Sequence, residues 1–167
     1  RGSDVVINIS ASPFHAGKRF ERERLLREKA VRNRVPIFYV NMVGGQDELV
    51  FDGQSLAIDV SGNPIAFGEQ FGEDLVIADI DLERRAAQEV NPPPYNKEEE
   101  MFNALVLGVR DYFRKTGFKR AVVGMSGGID SSLTTCIAVQ ALGRENVIGV
   151  SMPSRFSTEH SLSLIHI

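Results

Sequence analysis

The chain contains a single cysteine, Cys136, which excludes an internal disulfide framework and favours a reducing cytoplasm. No apolar run approaches the length of a bilayer span, and the first residues do not form a signal peptide. A dominant charge is missing too. With 19 basic and 22 acidic residues the net charge is −3, which gives no global pull toward nucleic acid or anionic membrane. Internal repeats and low-complexity segments are absent. What remains, 43% apolar and 25% charged over 167 residues, is the composition of a soluble globular protein with one domain or pieces of two.

The most informative stretch is Gly124-Met125-Ser126-Gly127-Gly128-Ile129-Asp130-Ser131-Ser132. It follows Arg120-Ala121-Val122-Val123, read as a buried strand, and precedes Leu133 to Leu142, whose apolar spacing is helical. A glycine-rich turn there uncovers backbone N–H groups at a helix N-terminus and creates an anion site. Ser126, Asp130, Ser131 and Ser132 place four polar side chains around it, which favours that reading over a turn made glycine-rich for packing. The Gly-Lys-Ser/Thr ending of a Walker A loop is missing, so an ordinary nucleoside-triphosphatase is disfavoured.

Upstream, Val5 to Ser10 reads as a strand, Ser12-Pro13 as a turn and Gly17 to Arg34 as a highly charged helix. Its arginines interleave with Glu21, Glu23 and Glu28, so a solvated helix face is expected rather than a nucleic-acid surface. Ile37 to Val43 reads as a strand and Gly44 to Glu48 as a loop; strands follow near Leu49–Phe51, Ser55–Val60 and Asp74–Leu82. Asn91-Pro92-Pro93-Pro94-Tyr95-Asn96 reads as a linker, because three prolines neither continue a helix nor pair centrally in a sheet. From Glu98 an amphipathic helix carries Phe102, Leu105, Val106, Val109 and Phe113, with an acidic first turn that suits the helix dipole. A strand at Val147 to Met152 completes strand–helix–strand, implying a parallel sheet with ligands at the strand C-termini. Cys136, inside the helix after the glycine turn, is expected to be a small buried packing residue.

Ser126-Gly127-Gly128-Ile129-Asp130-Ser131 resembles the pyrophosphate loop of ATP-cleaving adenylating enzymes. The stretch from Ala104 through Tyr112 to Gly117-Phe118 looks like the start of an NAD synthetase domain. Asn8 to Arg19 and Tyr39 to Gly53 resemble the glutaminase domain of the glutamine-dependent form, a member of the nitrilase superfamily. The resemblance covers about residues 1 to 161, and its specificity lies in the pairing of the two domains. The fold class it implies is α/β: the C-terminal half of a nitrilase-like sandwich over 1–85, a Pro-rich linker over 86–97, and the start of a Rossmann-like parallel-sheet ATP pyrophosphatase domain over 98–161. Residues 162–167 read as a translated sequencing adaptor, so His166 is excluded from any site.

The resemblance implies a ligase that hydrolyses glutamine through a cysteine thiolate aided by a glutamate and a lysine. Ammonia then displaces AMP from adenylated nicotinic acid adenine dinucleotide to give NAD. ATP and Mg2+ are the implied cofactors, and the enzyme is expected to be a cytoplasmic homo-oligomer. Gly124, Met125, Ser126, Gly127, Gly128, Ile129, Asp130 and Ser131 match the family's ATP-binding loop, with Asp130 as magnesium ligand. Helix N-capping is the bland role for Asp130, and it is compatible with the metal role. Ser12 and Lys18 match positions that hold glutamine; read alone they are a turn residue and a solvated helix start. Arg155, after the last strand, is either a phosphate contact or a surface arginine. Glu48 reads as a structural carboxylate and His15 as a loop hydrogen-bonder.

Several features depart from the full pattern. The glutaminase cysteine, glutamate and lysine match no position here, and Cys136 sits in the other domain. Thr134-Thr135-Cys136 is more polar than expected after the loop. Arg1-Gly2-Ser3-Asp4, without an initiator methionine, and the adaptor-like tail predict a chain cut at both ends, with no complete active site and marginal stability. Two other readings compete: another adenylating amidotransferase, GMP synthetase-like or tRNA-modifying, and a nucleotide-binding regulatory module without catalysis.

Overall fold

A computed structural model describes residues 2–151. The chain divides into two compact units, Arg1–Ala104 and Leu105–Ile167. In the first, β1 (Val6–Ser10) runs through the crossover helix α1 (Lys18–Asn33) into the parallel strand β2 (Ile37–Asn41). β5 (Leu56–Ile58) and β6 (Pro64–Phe67) extend the sheet antiparallel, giving the order β1-β2-β5-β6. Between them, β3 (Val43–Gln46) and β4 (Leu49–Asp52) form a separate antiparallel hairpin.

Strand side chains alternate between faces, so the two faces of β2 enter different cores. Ile37 and Tyr39 meet Leu26 and Ala30 of α1, together with Leu56 and Ile58. Phe38 packs on the opposite side, against the cluster of Ala57, Ile65 and Ala66. Ile58 is fully buried, and truncating such a side chain to alanine costs about 2–5 kcal/mol. α1 enters through Gly17 at φ 82° and leaves through Arg34 at φ 51°. Arg34 is therefore left-handed without being glycine, a cost offset by its N–H capping the Ala30 and Val31 carbonyls.

The second unit holds a parallel pair, β7 (Ala121–Met125) and β8 (Val147–Ser151), with Ala121 opposite Val147 and Met125 opposite Ser151. α3 (Ile129–Leu142) joins them through a 3-10 turn at Arg144–Asn146. α2 (Lys97–Thr116) precedes this pair and carries the division between the units. Both halves are thus the α/β arrangements expected.

Some expected elements differ. The strand from Ile37 stops at Asn41, and the anticipated glycine loop is strand β3, pairing Gly44 with Phe51 and Gly45 with Val50. Asp74–Leu82 is not a strand: Ala78 and Ile80 pack on the Ala57 cluster, whereas Leu75 and Ile77 face solvent, so the alternation is real but lacks a ladder. β6 went unread because it opens on Pro64, which sheets tolerate at a strand's first residue or edge. The charged helix α1 is not simply solvated, since Arg19 and Arg22 are buried. β7 is only half covered, with Val122 68% exposed. Cys136 is exposed rather than buried, on a helix whose one buried residue is Ala138.

Candidate functional site

The first site forms where β1 hands over to α1. The connecting loop lies against the hairpin: Phe14 N–H donates to the Val50 carbonyl at 2.7 Å, and Pro13 bridges to Phe51. Ser12 N–H donates to Asn41 Oδ1 at 2.9 Å, and Asn41 Nδ2 reaches back to the Ser12 carbonyl at 3.4 Å. Ser12 and Lys18 line one cleft of about 330 Å³, with Asn8, Ser10, Arg22 and Tyr39 among its walls. The structure therefore brings the two predicted glutamine residues together. Lys18 Nζ lies 3.6 Å from Glu21 Oε2, and His15 Nε2 lies 3.5 Å from the same oxygen. His15 also contacts its neighbour's carbonyl, as expected of a loop hydrogen-bonder, and Glu48 sits exposed in the β3–β4 turn.

Behind the cleft is a buried polar network that the sequence reading missed. Arg22 donates to both oxygens of Asp52, at 2.9 and 3.1 Å; the side chains are 5% and 0% exposed. Asp52 Oδ1 also accepts from Asn41 Nδ2 at 3.2 Å, and the Arg22 guanidinium sits 5.4 Å from the Tyr39 ring centroid. A fork-on-carboxylate pair of this kind satisfies two charges that could not be buried singly. Only the type of residue hinted at it. Asp52 ends a strand and Arg22 sits thirty positions earlier in an otherwise solvated pattern.

The proline-rich stretch expected to be a linker is held by side chains of the first unit. Arg19 donates to the carbonyls of Pro93 and Pro94 at 2.9 and 3.3 Å, and its guanidinium covers the rings of Phe20 and Tyr95. Glu100 accepts from Gly17 N–H at 3.4 Å and from Gln70 at 2.8 Å. Desolvation and the neighbouring Glu100 carboxylate push the Tyr95 phenol above its ordinary 10.0.

In the second unit the glycine turn occupies the β7–α3 junction, at the C-terminal end of a parallel strand. Gly127 takes φ 78°, a conformation open to glycine at little cost. The first intrahelical bond runs from Ser132 N–H to the Gly128 carbonyl. The N–H groups of Ile129, Asp130 and Ser131 precede it and are the donors that helix geometry leaves for an anion. Ser126 and Ser131 meet at 3.2 Å between hydroxyls, and Ser131 Oγ donates to the Gly128 carbonyl at 2.9 Å. The α3 cap residue is Gly128, with no side-chain cap bond, so Asp130 lies inside the first turn rather than at the cap. Among the described residues no group of three or more His, Cys, Asp or Glu could hold a metal. Asp130 would give a divalent ion one hard anionic oxygen, leaving its other positions to phosphate oxygens and water, the coordination magnesium favours. Arg155 and His166 lie outside the described residues.

Residues 1–89 match the carbon-nitrogen hydrolase family model, and residues 101–165 match the NAD synthase model. Glutamine-dependent NAD(+) synthetase of Synechocystis sp. is 48% identical over 97% of this chain and 29% of that protein. Its Thermotoga maritima counterpart is 43% identical over 96% of this chain and 34% of that protein. The solved structure of glutamine-dependent NAD+ synthetase from Acinetobacter baumannii, in complex with ADP, gives a TM-score of 0.89 at 37% identity. That match covers 96% of this chain and 31% of the solved one. A glutamine-dependent NAD(+) synthetase from Cytophaga hutchinsonii shares the fold, with a TM-score of 0.80 at 23% identity over 97% of this chain and 33% of that one. The chain thus spans roughly a third of the length of these relatives. No helix among the described residues is long and apolar enough to cross a membrane.

Proposed function

We propose, on the premise that this chain belongs to the carbon-nitrogen hydrolase family over residues 1–89 and runs on into an NAD synthase segment, that it is part of a glutamine-dependent NAD synthetase. One observation carries the reading. A single chain holds both the Ser12–Lys18 cleft and a glycine turn aimed at an anion from a parallel-strand terminus. We assign residues 1–85 to a glutaminase domain, 86–97 to a linker and 98–161 to a synthetase domain.

In the cleft, Lys18 pairs with the α-carboxylate of glutamine and the Ser12 hydroxyl meets its α-amino end, leaving the amide to be cleaved. In the second unit the amides of the turn, with Ser126 and Ser131, hold the phosphates of ATP. Gly127 and Gly128 let the main chain approach them. Asp130 holds magnesium, which when bound neutralises charge on the pyrophosphate oxygens. The substrates are glutamine, ATP and nicotinic acid adenine dinucleotide, whose carboxylate is adenylated and then amidated with loss of AMP. We place the enzyme in the cytoplasm as a homo-oligomer, a setting that a lone, exposed cysteine supports.

The test is Asp130→Ala in the full-length protein, with amide-labelled glutamine as nitrogen donor. Label transfer into NAD is lost while glutamine hydrolysis stays measurable. If both half-reactions run unchanged, the metal and phosphate assignments are wrong.

A further inference from the structure

We propose that Asn41 is the positioning residue of the glutamine cleft, fixing Ser12 by gripping its main chain from both sides; the proposal rests on Ser12 being a glutamine contact. Ser12 lies in a half-buried loop, and a loop serine on its own has no fixed hydroxyl position. Here both of its main-chain polar groups end on one carboxamide contributed from 29 residues away. That carboxamide has no freedom left. A carboxamide has two acceptor sites and two N–H donors. Oδ1 receives the Ser12 N–H and the Tyr39 hydroxyl, the latter at 3.1 Å. Nδ2 serves the Ser12 carbonyl and Asp52 Oδ1.

Chemistry rather than fitting decides which end is which. The Ser12 N–H can only donate, and an ionised Asp52 can only accept, so the reversed carboxamide would oppose like groups at both places. Arg22 holds Asp52 in place through its two-bond fork, and Ser55 Oγ accepts the Asn41 main-chain N–H at 3.0 Å. Asn41, Tyr39, Arg22 and Asp52 are buried, so they order the half-buried Ser12 loop before substrate arrives and remove that ordering cost from glutamine binding.

The experiment compares Asn41→Ala, Ser12→Ala and the double variant in the full-length protein. It reads KM and kcat for glutamine hydrolysis, together with NAD synthesis driven by free ammonia, which needs no glutamine site and reports folding. Asn41→Ala is expected to raise KM for glutamine about tenfold, the worth of a well-made hydrogen bond, with kcat nearly unchanged. The double variant should be no worse than the worse single one, since Asn41 acts through Ser12. If Ser12→Ala raises KM and Asn41→Ala does not, or if their effects simply multiply, the positioning role is refuted. If Ser12→Ala itself leaves KM unchanged, the glutamine reading of the cleft falls and takes this proposal with it. Should Asn41→Ala abolish ammonia-driven synthesis as well, Tyr39→Phe decides. Loss of that single hydroxyl raises KM about threefold if the carboxamide must be held, and an unchanged KM overturns the proposal.

Discussion

Replacing Arg22 by leucine isolates what burial does to an ion pair, because α1 carries its own control. Arg22–Asp52 and Arg24–Glu28 are both arginine–carboxylate pairs with closest contacts of 2.9 and 2.8 Å, so distance does not separate them. Solvent does: the first pair is 5% and 0% exposed, the second 68% and 59%. In Arg22→Leu, Asp52 keeps the Asn41 amide on Oδ1, but its fully buried carboxylate loses both guanidinium bonds. Leaving a buried charge without its partner costs about 3–5 kcal/mol, against about 0.3–0.5 kcal/mol for an exposed i,i+4 helix pair. Hydrogen exchange on the full-length protein, read at the β2 and β4 amides, measures the difference without assuming a two-state transition. Arg22→Leu should accelerate exchange there by roughly a hundredfold or more, and Arg24→Leu by about twofold. Adding Asp52→Leu to Arg22→Leu should restore most of the protection, since the uncompensated charge is then gone. Equal effects of the two single substitutions would refute the reasoning.

Two further outcomes follow from particular contacts. Gly62 holds φ 87°, and a Cβ there would meet Val31 Cγ2 at 3.0 Å, so Gly62→Ala should cost at least about 1–2 kcal/mol. Gly72→Ala, with nothing within 4 Å, should leave the melting temperature nearly unchanged; equal shifts would show the turn to be unstrained. Arg19→Ala removes the donors to the Pro93 and Pro94 carbonyls and should speed limited proteolysis around residues 91–96 about tenfold or more. An unchanged cleavage pattern by mass spectrometry would mean that Arg19 does not hold the proline-rich stretch.

Local patterns were legible where a residue's own neighbours impose the conformation. α1 matches its expected bounds nearly to the residue, because its periodicity runs uninterrupted from Gly17 to Arg34. α3 ends at the expected Leu142 but begins at Ile129, four residues before the expected Leu133, because its first turn is built from the polar end of the glycine stretch. Strand reading failed where pairing, not composition, decides. Gly44 and Gly45 look like loop residues and are strand only because Phe51 and Val50 lie opposite. Leu75 to Ile80 alternates like a strand but has no partner to ladder with.

Sequence alone determined the α/β class and the glycine turn between a strand and a helix, since each follows from order along the chain, whereas Ser12 and Lys18 are candidates only through the family resemblance. Tertiary structure decided which charges are buried. Arg22 reads like the other arginines of α1 until Asp52, thirty residues on, folds beneath it. It also decided that Asn41 grips Ser12, because a hydrogen bond between residues 29 apart depends on β2 lying parallel beside β1, a distance in space that spacing along the chain does not encode.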